Sequence, residues 1–98
     1  MKQQQQIAIL HTLFEEMTQH WPDDPTQLTG AQGYRAWHTL EQVRDHFSPQ
    51  VRDHTNLVSL AKFKYQISAD DFMDIWMSPK YKHDWKRQQT FDILARSA

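Results

Sequence analysis

The chain has no cysteine, so it has no disulfide framework, no thiolate nucleophile and no cysteine-bound zinc. That composition suits a reducing cytoplasm, which is the expected compartment. Glycine is almost as scarce. Only Gly30 and Gly33 occur in 98 residues, and tight β-hairpins, whose turns favour residues tolerant of positive φ, are hard to build from so few. The same scarcity excludes a glycine-rich phosphate cradle. No apolar run approaches the roughly 18 residues of a membrane span. The opening stretch MKQQQQIAIL carries one lysine and an apolar segment soon interrupted by His11, so a signal peptide is not expected. Nor is there a large excess of positive charge: the formal net charge is −1, unlike that of a strongly basic nucleic-acid binder.

What remains is polar but aromatic-rich. Mean hydropathy is −0.82, yet Trp21, Trp37, Trp76 and Trp85 bring large apolar areas to a small core. Ninety-eight residues suit a single domain, 1–98, with enough core to fold without staples. Charge is uneven along it. Residues 1–48 carry a net −3 and residues 49–98 a net +2.

The apolar spacing is helical. Residues 3–20 place Ile7, Leu10, Leu13, Phe14, Met17 and Trp21 on one side, with Ile9 at its margin; the short glutamine tract before them reads as a fraying first turn. Trp21-Pro22 stops this helix, because a residue before proline avoids the α region. Thr29-Gly30-Ala31-Gln32 has the capping-box pattern and opens a second helix over 30–47, striped by Ala36, Trp37, Leu40, Val43 and Phe47. Trp37 sits in the best-formed stripe, so Trp37→Ala is expected to cost about 3–5 kcal/mol. Gly33 leaves room for a close neighbour.

Ser48-Pro49 predicts a third helix over 49–65. Its segment Leu57–Tyr65 is apolar almost all round, which marks it as the element the others pack against. Strict alternation at Lys62–Ile67 has the period of a strand. No second strand exists to pair with it, so the reading is helix to about 64, then an extended link with Ile67 inward. Ser68 caps a short helix over 69–77, with Phe72, Ile75 and Trp76 inward and Asp70, Asp71 and Asp74 outward. Ser78-Pro79 opens a last helix over 79–96. The expected fold is therefore all-α, a compact orthogonal bundle of about five helices.

Catalytic and metal chemistry find little footing. Tyr34, His38, Glu41 and Asp45 form a polar line along the second helix, and His38 with Glu41 could share an ion with Glu16 or His20. No HExxH motif and no ExxH pair accompanies them, so no metal or other cofactor is expected. Ser59 lacks an elbow motif. Adjacent acids such as Glu15-Glu16 and Asp70-Asp71 diverge on a helix. The expectation is a non-enzyme.

Binding is better supported. Lys62, Phe63, Lys64 and Tyr65, with Lys80, Tyr81, Lys82, Lys86 and Arg87, interleave cations and aromatics. Aromatic side chains and arginine dominate binding hot spots. The expected function is a small stand-alone regulator or inhibitor that occupies a protein partner through these residues. A second copy of the chain is one candidate occupant, since Ile9, Leu60, Phe63 and Ile93 lie off the main apolar faces. The alternative is a contact with the DNA or RNA backbone through the same basic, aromatic C-terminal half, whose segments around residue 66 have helix-turn-helix proportions. The second helix of that pair shows only acids outward, which argues against specific major-groove reading.

Overall fold

Side chains that accept from the first free backbone amides mark helix starts at Thr29, Asn56 and Ser68. The computed structural model describes residues 2–81, 83–85, 87 and 89. Helix α1 runs Gln3–Thr18, α2 Gly30–Val43, α3 Pro49–Arg52, α4 Leu57–Tyr65 and α5 Ala69–Trp76. Among the described residues there is no strand, and the fold is all-α. At α2, Gln32 N–H donates to Thr29 Oγ1 at 3.1 Å while Thr29 N–H donates to Gln32 Oε1 at 3.0 Å, the reciprocal box expected. At α5, Ser68 Oγ accepts from Asp71 N–H at 3.0 Å. The glutamine tract has work to do rather than fraying. Lys2 N–H donates to Gln5 Oε1 at 3.1 Å, and Gln6 Oε1 accepts from Ser48 N–H at 2.8 Å, tying α1 to the start of α3.

The predicted third helix, 49–65, is two helices. Pro49 starts α3 at the first helical position, but the turn closes after Arg52 and the chain goes extended at Asn56. Asn56 then caps a new helix, accepting from Ser59 N–H at 2.9 Å while its amide nitrogen donates to Asp53 C=O at 2.9 Å. A short polar side chain that can bond neighbouring backbone competes with helix continuation. The second helix likewise stops before 47. Arg44–His46 tightens into a 3₁₀ turn, and Phe47 is extended and buried. The predicted last helix opens differently: Pro79–Tyr81 is a 3₁₀ turn. Residues 85, 87 and 89 are helical, and the rest of the predicted span 82–96 lies outside the described residues.

Helix α4 is the hub expected of it. Leu57, Leu60 and Ala61 are fully buried, and α4 packs against α1, α2 and α5. Leu10 and Phe14 of α1, Ala36 and Leu40 of α2, Val51 of α3, and Phe72 and Trp76 of α5 complete the core with Trp21, Leu28 and Phe47. The helix-to-link transition falls at Gln66, whose left-handed φ of 55° ends α4 with its N–H on Lys62 C=O at 2.8 Å. Ile67 then turns in against the core. Gly33 is the close approach anticipated: the Trp76 indole lies where a Cβ would project. Trp37 departs from expectation. It is only half-buried, flanked by the Tyr34 and His38 rings at 5.5 and 6.1 Å, and the deeply buried indoles are Trp76 and Trp21. No helix of the described residues is long and apolar enough to cross a membrane.

Candidate partner-binding surface

Of the nine cationic and aromatic residues singled out in the sequence, seven lie among the described residues, and they occupy different settings. Phe63 turns inward, its ring 5.1 Å from His11 and 5.5 Å from Phe14. Lys62, one position earlier on α4, is exposed. Together they border a groove of about 360 Å³ between α1, α3 and α4. Leu10, Phe14 and Val51 line its apolar part, and His11, His54, Ser59 and Lys62 supply its polar groups. Among the described residues, no carboxylate lines it.

Tyr65 and Tyr81 do something else: both fasten the loop between α1 and α2. The Tyr65 hydroxyl donates to Pro22 C=O at 2.7 Å, and its ring stacks on Trp21 with centroids 6.2 Å apart. The Tyr81 hydroxyl donates to Thr26 C=O. Partial burial, with Asp23 and Asp24 nearby, pushes the Tyr65 phenol up to about 12. Asp24 in turn accepts from Thr26 N–H at 2.9 Å and Thr26 Oγ1 at 2.8 Å; these bonds, aided by Lys80, hold its carboxyl below the usual range. Lys80 is exposed, with Nζ 5.4 Å from the Tyr81 ring, and borders a separate cleft that Asp74 also lines. Lys64 is half-buried on α4.

Arg87 belongs to the interior. Its side chain is 1% exposed, which corrects the expectation of a surface contact. Nη1 donates to Trp76 C=O at 3.1 Å and Nη2 donates to Leu28 C=O. Nε lies 3.3 Å from Asp84 Oδ2, an ion pair without the alignment of a hydrogen bond. The guanidinium carbon sits 3.6 Å from the Tyr81 ring centroid and 4.3 Å from that of Trp76. Burial lowers the guanidinium pKa, opposed by Tyr81 and Asp84. Asp84 also accepts from Gly30 N–H at 3.3 Å, at a point where a side chain on residue 30 would strike its carboxylate. Lys82 and Lys86 lie outside the described residues.

On the polar line of α2, His38 and Glu41 have separate partners. His38 stacks on Tyr34 and its ring nitrogen meets Gln42 Nε2 at 3.2 Å, while Glu41 pairs with Arg44 at 3.7 Å. Glu16 and His20 face different grooves. No group of three or more potential metal ligands converges among the described residues. His11, His54 and Ser59, which sequence reasoning did not assign to binding, join Lys62 because α1 crosses α4 where the α3–α4 break brings residue 54 alongside. No protein-family model, curated protein or solved structure matches the chain at a significant level.

Proposed function

We propose that this chain is a small, non-enzymatic, cytoplasmic regulator or inhibitor that acts by binding a protein partner, and that the groove between α1, α3 and α4 receives the partner. One observation carries the reading: an apolar floor bordered by Lys62, His11 and His54 with no acidic residue among the described residues that line it. An acidic segment bearing an apolar anchor complements it, since the anchor displaces water from Phe14 and Phe63 while the carboxylates meet Lys62. Lys80 is a weaker contributor because Asp24 and Asp74 offset it.

The nucleic-acid alternative has the layout of α4, a link and α5 in its favour. However, α5 exposes Asp70, Asp71 and Asp74, a face that repels phosphate. Affinity capture with the wild-type chain, Lys62→Glu and His54→Glu tests the proposal. A protein retained by wild type and lost from both variants supports it. Capture of nothing, of the chain itself alone, or of a protein indifferent to both changes overturns it.

A further inference from the structure

A second groove, of about 350 Å³, lies between α1 and α2 and is built for a different occupant. Its apolar part is Met17, Trp21 and Ala36, with Trp21 held in place by its stack on Tyr65. Its polar part is Arg35, Gln32, His20 and Thr39. Each of these has a defined hydrogen-bonding state. Arg35 makes no side-chain ion pair or hydrogen bond among the described residues. Gln32 has its carbonyl oxygen committed to Thr29 N–H at 3.0 Å, which fixes the amide orientation and leaves Nε2 to donate. Thr39 donates its hydroxyl proton to Arg35 C=O at 3.0 Å and so offers a ligand only lone pairs. His20 supplies a ring N–H in either tautomer. The groove thus presents a guanidinium, an amide donor and an imidazole beside an apolar wall, and no carboxylate lines it among the described residues. Glu16, the nearest acid along α1, faces another groove.

We infer that this groove binds a small carboxylate with a compact apolar body, the carboxylate on Arg35 and Gln32 and the body against Trp21 and Met17. A planar guanidinium pairs with a carboxylate through two parallel N–H···O bonds, which a phenol or amide cannot reproduce. The site is separate from the α1–α3–α4 groove, so its success or failure leaves the proposed partner contact untouched.

The test uses the full chain, 1-naphthoate as probe and 1-naphthamide as its neutral counterpart, followed by two-dimensional NMR. Saturable shifts are expected at the Trp21 indole N–H and at the Ala31, Gln32 and Ala36 amides. Both the neutral probe and Arg35→Gln should weaken binding on the order of tenfold or more, the effect of losing one charge-assisted pair. Because Arg35 is exposed, the variant keeps the fold, and the neutral probe gives the same information on the unmodified chain. Absence of saturable shifts at millimolar naphthoate overturns the inference. So does naphthamide, or naphthoate with Arg35→Gln, binding as well as naphthoate binds the wild type.

Discussion

Two seams close the helices on one another, and they are made of opposite materials. Around α4 the seam is apolar: the fully buried Leu57, Leu60 and Ala61 face α1, α2 and α5. Around Arg87 the seam is a buried cation with two carbonyls, a carboxylate and two aromatic faces. An apolar seam loses stability in proportion to the volume removed and can partly relax. A buried charge with fixed partners cannot relax, because each deserted group stays desolvated and unpaired. The first seam is graded and the second is all-or-none.

Trp76 is the residue the two seams share, since it fills the space over Gly33 and carries the guanidinium on its ring. Trp76→Ala is therefore expected to cost the most, about 5 kcal/mol in urea unfolding, at the top of the range for large core aromatics. Arg87→Ala comes next at about 3–5 kcal/mol, since it deserts Leu28 C=O, Trp76 C=O and Asp84 together. The comparison sharpens with Leu60. Leu60→Ala should cost about 3 kcal/mol, and Leu60→Met little. Arg87→Met, which keeps the stem but not the donors, should remain nearly as damaging as Arg87→Ala. If Arg87→Met behaves as mildly as Leu60→Met, the polar seam contributes packing alone.

Trp37→Ala ranks lower, at about 1–2 kcal/mol, because Trp37 lies at the edge of the core and keeps part of its surface in water. A loss above about 3 kcal/mol would return Trp37 to the core that its sequence position suggested.

The smallest effect is one of pH. Tyr65 keeps its proton up to about 12 when folded, against an ordinary value of 10.0. The folded state holds this proton more tightly than the unfolded one, so the contribution is complete below pH 10 and fades as pH rises towards 12. Tyr65→Phe should flatten that part of the stability profile, and the tyrosinate absorbance of the wild type should include one late-titrating residue.

The features legible in the sequence were those settled by near neighbours. Thr29 and Gln32 are three positions apart, as are Ser68 and Asp71, and both caps formed as their spacing implied. The apolar identity of α4 also sufficed to place it centrally. The break at Asn56 was local too, but valine and leucine on both sides concealed it; an amide side chain between Thr55 and Leu57 was the available signal. Arg87 was not legible in the same way. Its burial depends on Leu28, which lies 59 positions away, and on an acid and two rings whose arrangement only packing fixes. Lys62 and Arg87 look equivalent as letters, and their neighbours in space make one a surface cation and the other an internal strut. For the same reason the candidate groove was half visible, as Lys62 and Phe63 but without His11 and His54.

The loop from Pro22 to Gly30 is shaped locally by Asp24 and Thr26 but fastened to the rest of the fold by residues made much later. Tyr65 reaches back 43 positions to Pro22, Asp84 54 to Gly30, Tyr81 55 to Thr26 and Arg87 59 to Leu28. Closing such spans costs chain entropy before any bond repays it. During synthesis α1 and α2 can therefore coil early, while the corner between them stays incompletely fastened until the segment from Tyr65 to Arg87 has left the ribosome. For that interval Trp21 and Leu28, buried in the finished fold, remain within reach of a chaperone.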